Sequence, residues 1–313
     1  MTRHLLTLDS LGRDGILANL KLATYLKSIK GMARDSLPGG RVGLIFDKPS
    51  TRTRVSFEAA AWGLGMLPIT LRPDELQLGR GETIADTARV LSRYLTALAI
   101  RTFDQAKVEE LARHATIPII NALTDDHHPC QALADVMTLQ EEFGQLAGLR
   151  VAFVGDGNNV CNSLIQAAGL LGFTLVISTP SGYEPNAGIV ESARANCKIN
   201  GGAVEIGHDP RAAARGADAI YTDVWASMGQ EKEREERARA FAGYCVTLEL
   251  MAVASPRAIF LHCLPAHRGD EVVDAVIDGP QSRVWPEAEN RWYTEQALLY
   301  TLITGEETLE RMG

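Results

Sequence analysis

The sequence is constrained most by a repeated alternation between short apolar runs and longer amphipathic segments. From Arg41 onward the apolar runs are RVGLIF, TALAIR, IPIINAL, LRVAFVGD, FTLVIST, AVEIG, ADAIYTD and RAIFLHC. Each run except the last is followed by a segment with helical periodicity. Strands that are apolar along their whole length and separated by helices are typical of parallel sheets covered on both faces. We therefore predict an α/β fold with seven or eight strands.

The Gly-containing segment EEFGQLAGLR, residues 141–150, ends a long predicted helix and indicates a boundary between two groups of strands. The 313 residues are enough for two domains of ordinary size. We predict two doubly wound parallel-sheet domains, 1–145 and 146–285. The remaining residues, 286–313, begin at a proline and read as a helix with no strand after it, so we expect this helix to pack back on one of the domains.

Composition excludes several classes of protein. The net charge is −8 and no long Lys/Arg tract is present, which argues against nucleic acid as a partner. The five cysteines form no C-x-x-C pair, so neither a disulfide framework nor a zinc cluster is indicated. No run approaches the ~20 apolar residues of a membrane span, and the first ten residues do not resemble a signal peptide. We expect a cytoplasmic protein that does not bind membranes.

Polar residues concentrate where the apolar runs end. Ligands of doubly wound sheets bind outside the carboxyl ends of the strands, so this position is informative. The segments concerned are STRT (50–53), Arg101, DDHHPCQ (125–131), GDGNN (155–159), Asp223 and HCLP (262–265). Their common position suggests one binding rim.

The segment Ser50-Thr51-Arg52-Thr53-Arg54 stands at the start of a predicted helix. A helix N-terminus offers unpaired N–H groups and a partial positive charge, while Arg adds a bidentate charged fork. These features predict a phosphate site. The alternative is that Ser50 is only the N-cap of the helix.

Two further segments allow more than one interpretation. His128 and Gln131 flank Pro129 at a helix start, where a neutral His can donate a hydrogen bond or pass a proton; the alternative is a surface His pair. The acidic residues before His128 do not complete a metal site, so we predict no metal. GDGNN suggests a dinucleotide site, but Val160 replaces the third glycine and no acidic residue ends the next strand. We predict no nicotinamide cofactor.

Asp223 and Cys263 complete the rim. A carboxylate at a strand end can pair with an ammonium group of a ligand. A lone Cys is usually a small apolar residue and is only a weak indication of a nucleophile.

Taken together, STRTR, HPCQALAD, GDGNN, DVWASMGQE and HCLP, in this order over almost the whole chain, resemble the motifs of the transcarbamylase family. DxxxSMG and HCLP are similar to the versions found in its ornithine-using members. The resemblance implies a carbamoyl-phosphate domain followed by an ornithine domain, a last helix that crosses back to the first domain, and assembly as a homotrimer. It also implies transfer of a carbamoyl group to the δ-amine of L-ornithine, which gives citrulline and phosphate, with arginine biosynthesis as the expected role.

The resemblance assigns individual residues to the two substrates. The residues it implies for carbamoyl phosphate are Ser50, Thr51, Arg52, Thr53, Gln77, Arg101, His128, Pro129, Cys130, Gln131, Cys263, Leu264 and Arg291. Those implied for ornithine are Asn159, Asp223, Ser227 and Met228. Gln77 matches the family's loop that reaches into a neighbouring subunit's site. The residues we predict to be catalytic are Arg52, Arg101, His128, Asp223 and Cys263.

The chemistry needs no covalent enzyme intermediate, metal or organic cofactor. A neutral amine attacks the carbonyl carbon, an oxyanion forms and phosphate leaves. Ornithine's amine has an ordinary pKa of about 10, like that of lysine. A proton acceptor is therefore required, and Cys263 and the departing phosphate are the two candidates.

Three alternatives remain. A transcarbamylase for putrescine or N-acetylornithine is disfavoured by Asp223 and SMG, because those substrates lack the free α-amino acid group or its ammonium. A nicotinamide-dependent oxidoreductase is disfavoured by Val160. A non-catalytic binding protein would be expected to have lost part of the polar rim, and here every motif is intact.

Overall fold

The computed structural model describes residues 3–72, 74, 76–77, 81–226 and 233–306. The chain divides into two compact units, the first formed by Met1–Ala134 with Glu289–Gly313 and the second by Asp135–Ala288. Both points of division fall within helices.

The described residues form twelve α-helices. They are α1 (Gly12–Ser28), α2 (Arg52–Gly63), α3 (Ile84–Tyr94), α4 (Gln105–His114), α5 (Pro129–Phe143), α6 (Asn159–Leu171), α7 (Ala187–Asn200), α8 (Pro210–Ala214), α9 (Arg234–Ala240), α10 (Leu248–Met251), α11 (Asp274–Ile277) and α12 (Val284–Thr304), with a 3₁₀ turn at Leu8–Ser10. Among the described residues, no helix combines the length and the apolar character that crossing a membrane requires.

The first unit contains a four-stranded parallel sheet in the order β2-β1-β3-β4. Its strands are β1 (Arg41–Phe46), β2 (Leu67–Leu71), β3 (Ala97–Arg101) and β4 (Ile119–Leu123). The chain moves from β1 to β2 on one side and then returns to β3 on the other. This reversal opens a crevice at the carboxyl ends of β1 and β3, the position at which doubly wound sheets bind ligands. Phe46 pairs with Arg101 there, so the segment after β1 and the Arg101 side chain begin at the same level.

The core of the first unit lies where the strands meet the helices. Ile45, Leu98 and Ile100 of the sheet pack with Val108 and Leu111 of α4 in one buried cluster. The part of α12 that belongs to this unit is held to α1 and to the turn after it by side-chain hydrogen bonds. Three of these bonds are Asn19 Nδ2 to Thr294 O at 3.2 Å, Lys27 Nζ to Asn290 Oδ1 at 2.7 Å and Gln296 Nε2 to Gly31 O at 2.8 Å.

The second unit contains a five-stranded parallel sheet in the order β7-β6-β5-β8-β9. Its strands are β5 (Arg150–Val154), β6 (Thr174–Ser178), β7 (Ala203–Gly207), β8 (Ala219–Thr222) and β9 (Ile259–His262). The strand order reverses between β5 and β8, where Phe153 pairs with Tyr221. The crevice of this sheet therefore lies beside the GDGNN segment, which follows β5, and beside Asp223, which follows β8.

The predicted fold class is confirmed: both units are α/β with parallel sheets. One strand was missed, because β2 reads Leu-Pro-Ile-Thr-Leu and lies at the sheet edge with every residue at least partly exposed. A proline has no N–H to donate, so Pro68 makes the segment look unlike a strand although an edge strand tolerates it. The last helix begins at Val284, two residues before Pro286, because the first helical turn needs no N–H from its third residue.

Candidate active site

The helix that follows β1 has an N-terminus without a side-chain cap. Thr51, not Ser50, is the N-cap residue of α2, and its hydroxyl makes no capping hydrogen bond. The alternative interpretation of Ser50 as the N-cap is therefore wrong. The first N–H groups of α2 have no side-chain acceptor from Thr51, and the helix dipole favours an anion in that position.

Arg291 of α12 links the predicted residues of this unit. Its Nη2 donates to Thr53 Oγ1 at 3.1 Å and its Nη1 donates to Gln131 Oε1 at 2.8 Å. The same guanidinium donates to Glu295 Oε1 through Nε at 3.0 Å and Nη2 at 2.6 Å. Residues from α2, α5 and α12, far apart in sequence, are thereby brought to one guanidinium.

His128 is surrounded by positive charge. It precedes α5 and is 5% exposed. Burial lowers the pKa of His128 well below its ordinary value of 6.5, and Arg291, Arg101 and Arg52 lower it further. The imidazole is therefore neutral at pH 7, with one ring nitrogen as donor and the other as acceptor. Three guanidiniums beside a neutral donor form a site suited to a phosphoanion that also carries a carbonyl oxygen.

The other predicted residues of the first unit differ in position. Pro129 is the first residue of α5 and is buried beside His128. Cys130 is also buried, but its Sγ donates to Asn121 O at 3.4 Å, and burial raises its pKa. The structure thus turns the Cys130 thiol towards β4, which favours a packing role over the predicted ligand contact. Gln77 follows β2 in the chain and is itself exposed, and no described hydrogen bond joins it to the residues around Arg291.

In the second unit, Asp223 is the centre of a hydrogen-bonded cluster. Its Oδ2 accepts from Asn158 Nδ2 at 2.7 Å, and its Oδ1 accepts from Cys263 Sγ at 2.9 Å and from Val224 N at 2.8 Å. These contacts fix the orientation of a buried carboxylate at the carboxyl end of β8. A fixed buried carboxylate is a suitable partner for an ammonium group.

The loop after β5 places Asn158 in this cluster. Asn158 is the N-cap of α6, and its Oδ1 accepts from the N–H groups of Val160 and Cys161 while its Nδ2 is left to reach Asp223. The tight turn depends on Gly157, because a Cβ there would lie 2.3 Å from Pro185 N. Arg237 of α9 braces the same loop by donating from Nη1 to Asp156 Oδ2 at 2.8 Å and to Trp225 O at 2.9 Å. Burial raises the pKa of Asp156 to about 6, although Arg237 acts in the opposite direction.

The Cys263 thiol is a hydrogen-bond donor in this environment. Burial raises its pKa well above the ordinary value of 9.0, and the Asp223 carboxylate raises it further. A thiol that remains protonated cannot accept a proton from an amine. Of the two predicted acceptors, the structure therefore disfavours Cys263 and leaves the departing phosphate.

A family model described as the carbamoyl-P binding domain of aspartate/ornithine carbamoyltransferase matches residues 3–141. A second model, described as the Asp/Orn binding domain of the same enzymes, matches residues 147–302. The chain belongs to the aspartate/ornithine carbamoyltransferase family. It is thus a carbamoyltransferase, and the family predicted from the motifs is confirmed.

Individual members of the family resemble the chain over nearly its whole length. A protein named ornithine carbamoyltransferase from Bacillus cereus (strain ATCC 14579) is 52% identical over 302 residues, covering 96% of this chain and 95% of its own. The structure of ornithine carbamoyltransferase from Pyrococcus furiosus matches with a TM-score of 0.93 and 49% identity, covering 97% of both chains. That of anabolic ornithine carbamoyltransferase from Campylobacter jejuni matches with a TM-score of 0.92 and 37% identity, covering 97% of this chain and 100% of its own.

The remaining predicted residues of this carbamoyltransferase fall into two groups. Asn159 and Leu264 are next in sequence to members of the Asp223 cluster, and two others are not among the described residues. Asn159 is the half-buried first residue of α6 and follows Asn158. Leu264 has a left-handed φ of 58°, and its N–H donates to His262 Nδ1 at 2.8 Å. Ser227 and Met228 lie outside the described residues.

Asp223, His262 and Cys263 were tested as a metal site, because one ligand atom of each lies within 4.8 Å of the others. Both nitrogens of His262 are engaged, since Nδ1 accepts from Leu264 N and Nε2 lies 3.1 Å from Glu271 Oε1. The Cys263 thiolate, the form that binds metals, is opposed by the Asp223 charge. The three residues fit a hydrogen-bonded cluster better than a metal site.

Sequence reasoning missed two residues that the structure places beside the predicted ones, Glu295 and Arg237. The sequence placed the amides of both Asn158 and Asn159 at the rim, but the resemblance assigned only Asn159 to ornithine. Glu295 gave only an i,i+4 pairing with Arg291, a pattern common on solvated helix faces. Arg237 belongs to the charged run GQEKEREERARA (229–240), whose composition is typical of a solvated helix face, yet Arg237 is 7% exposed.

Proposed function

We propose that this chain is an ornithine carbamoyltransferase, which transfers the carbamoyl group of carbamoyl phosphate to the δ-amine of L-ornithine and releases L-citrulline and phosphate. The observation that carries the proposal is the group of Arg52, Arg101 and Arg291 around a neutral, buried His128. This group belongs to the part of the chain that matches the carbamoyl-P binding domain. The names of the relatives at 49–52% identity give the acceptor substrate.

The first substrate is bound by residues of the first unit. We assign the phosphate of carbamoyl phosphate to the α2 N-terminus, with Ser50, Thr51, Arg52 and Thr53. Arg101, His128 and Gln131 are assigned to the carbonyl and amide groups. Arg291 completes this set, because its contacts with Thr53 and Gln131 place its charge beside both groups of residues.

The second substrate is bound by residues of the second unit. Asp223 takes the α-ammonium of ornithine, and Asn158 and Asn159 supply amide donors for the α-carboxylate. Ser227 and Met228 are assigned by their match to the family motif alone. Leu264 and Cys263 are assigned to the reacting groups, with Pro129 as part of the His128 turn.

The reaction needs one bond made and one broken. The neutral δ-amine attacks the carbonyl carbon, the C–N bond forms, and the oxyanion is stabilised by guanidinium and imidazole donors. The C–O bond to phosphate then breaks, and the phosphate, already a base, accepts the proton that the amine loses. Binding both substrates in reacting orientation can contribute roughly 7–11 kcal/mol of the barrier.

The wider biological assignments are also proposals. We place the reaction in arginine biosynthesis and in the cytoplasm, and we keep the domain limits 1–145, 146–285 and 286–313. We further propose a homotrimer in which Gln77 of one subunit reaches a neighbouring site. Two observations support an oligomer: Gln77 is exposed, and the apolar side chains of Val55 and Trp62 on α2 and Leu67 on β2 are more than half or about half exposed.

A colorimetric assay for ureido product tests the substrate. Carbamoyl phosphate is supplied with ornithine, putrescine, N-acetylornithine or aspartate in parallel. We expect rapid product formation with ornithine only. Equal or faster turnover of another amine would overturn the assignment of Asp223 while leaving the carbamoyl-phosphate residues in place.

A further inference from the structure

Helix α12 places a buried carboxylate one turn after Arg291. Glu295 is 1% exposed, and its Oε1 accepts two hydrogen bonds from the Arg291 guanidinium. That guanidinium is the one that contacts Thr53 and Gln131. The carboxylate therefore acts directly on the orientation and the charge of a group we have assigned to carbamoyl phosphate.

Glu295 and His128 both lie beside Arg291, and the groups around these two residues do not share the ability of Glu295 to change charge near pH 7. On α5 and the turn before it, burial keeps the Cys130 thiol and the His128 imidazole neutral. Arg291 on its own helix, Arg52 at the start of α2 and Arg101 at the end of β3 stay positively charged. The α2 side adds the Ser56 hydroxyl, which favours the ionised carboxylate but carries no charge. Within this group Glu295 is the member able to gain or lose a proton as an anion arrives.

We propose that Glu295 is a positioning residue for the carbamoyl-phosphate site, which holds the Arg291 guanidinium in place before binding and takes up a proton when the phosphoanion binds. This inference rests on the proposed function, because that function supplies the anion.

The reason is competition between two anions for one guanidinium. While Glu295 is ionised it neutralises much of the Arg291 charge, and a phosphoanion that approaches Arg291 is repelled by the carboxylate. Burial raises the pKa of Glu295 to about 7, with Arg291 and Ser56 acting in the opposite direction. A second negative charge nearby raises the pKa further, so the bound state favours the protonated acid. Above pH 7 binding must then include proton uptake, and affinity must fall as pH rises.

A purely structural Glu295 makes a different prediction. In that case its replacement changes stability but leaves the pH dependence of substrate binding unaltered. The isosteric variant Glu295→Gln separates the two cases, because the amide oxygen can still accept from Arg291 while the side chain can no longer titrate. Glu289→Gln on the same helix is a matched control, since it neutralises an exposed carboxylate.

The experiment measures the KM for carbamoyl phosphate from pH 6.5 to pH 8.5 at saturating ornithine. For the wild type and Glu289→Gln we expect KM to rise about tenfold between pH 7 and pH 8.5, within the limit of tenfold per pH unit for one proton. For Glu295→Gln, the KM for carbamoyl phosphate should rise less than about twofold over the same pH range, once the change caused by the substrate's own ionisation has been subtracted. Glu295→Asp, which retains a carboxyl group, should restore a pH dependence. The KM for ornithine should be the same in all four proteins. If the KM for carbamoyl phosphate depends on pH in the same way in the wild type and in Glu295→Gln, the inference is overturned. If Glu295→Gln does not fold, a wild-type KM that does not change with pH overturns it instead.

A binding measurement distinguishes failure of this inference from failure of the proposed function. Inorganic phosphate is titrated calorimetrically into the wild type and Glu295→Gln at pH 8 in two buffers of different ionisation enthalpy. Both proteins receive the same phosphate, so the difference in protons taken up isolates the carboxyl group. We expect the wild type to take up more, by at most about 0.9 proton, because a group of pKa about 7 is roughly 90% ionised at pH 8. If the wild type takes up more protons than Glu295→Gln but the protein makes no citrulline, only the proposed function is contradicted. If the two proteins take up equal numbers of protons and the protein makes citrulline, only the present inference is contradicted.

Discussion

A buried histidine can be kept neutral by desolvation or by neighbouring positive charge, and His128 experiences both. The result is an imidazole that remains a hydrogen-bond donor across the physiological pH range without adding to the charge of the site. The same reasoning gives the opposite result for Cys263, where burial and the Asp223 carboxylate preserve the thiol. Residue types alone allowed His128 and Cys263 to carry a proton, and the surroundings of these two side chains disfavour that role near pH 7.

The residue-scale prediction concerns Asp223. Asp223→Asn keeps the size of the side chain but removes the charge offered to the ornithine ammonium. A hydrogen bond to a charged group contributes about 1.5–3 kcal/mol, so we expect the KM for ornithine to rise roughly 10- to 150-fold. The KM for carbamoyl phosphate should change less than about twofold. Steady-state kinetics with each substrate varied in turn provides the measurement.

The control for this variant is Asp218→Asn, at the other end of β8. Asp218 accepts a hydrogen bond from Arg150 N and supports the strand without belonging to the Asp223 cluster. It should lower stability without changing the KM for ornithine. An Asp223→Asn enzyme with an unchanged ornithine KM would contradict the assignment of this carboxylate.

At the scale of elements, the most informative feature of the sequence was the alternation of short apolar runs with longer amphipathic segments. It located eight strands because each is a short apolar run set between helical segments, whereas the edge strand β2 is interrupted by Pro68 and no residue in it is fully buried. Asn159 was assigned to ornithine by the resemblance, whereas the contact of Asn158 with Asp223 follows from the residue at which α6 begins, and helix ends are the part of an element that sequence defines least well. Glu295 could not be singled out either, because an Arg–Glu pair looks the same in sequence whether it is buried or solvated.

The element-scale prediction concerns a surface on α2 and β2. Val55 and Trp62 of α2 are 58% and 50% exposed, and Leu67 of the edge strand is 58% exposed. Val55 and Trp62 are seven residues apart and therefore lie on one face of the helix. Large apolar side chains together with an open sheet edge favour association with a second copy of the chain. We expect Val55→Glu to shift the sedimentation-equilibrium mass from a trimer towards a monomer.

Leu248→Glu supplies the comparison for this surface. Leu248 is comparably exposed but belongs to the second unit, whereas α2 and β2 belong to the first. It should leave the mass unchanged. A wild-type protein that sediments as a monomer at micromolar concentration would exclude the trimer.

At the scale of the whole molecule, the family and the fold could be predicted because the motifs extend through both halves of the chain in order. In each unit, polar segments follow the two strands between which the strand order reverses. These strands are β1 and β3 in the first unit and β5 and β8 in the second. What the sequence could not provide was the contacts that orient those segments. Arg291 donates to Gln131 and Thr53, which are 160 and 238 positions away in the sequence, and Asn158 donates to Asp223 across 65 positions. Arg291 also donates to Glu295, which is one helical turn away but is buried.

The claim that most needs a direct test is that the chain transfers a carbamoyl group to ornithine rather than only binding or hydrolysing carbamoyl phosphate. The most direct measurement follows ¹³C from labelled carbamoyl phosphate by NMR in the presence of ornithine and the enzyme. We predict that the label appears in the ureido carbon of citrulline, with one phosphate released for each citrulline formed. Label that appears in bicarbonate at the same rate with and without ornithine would contradict the claim.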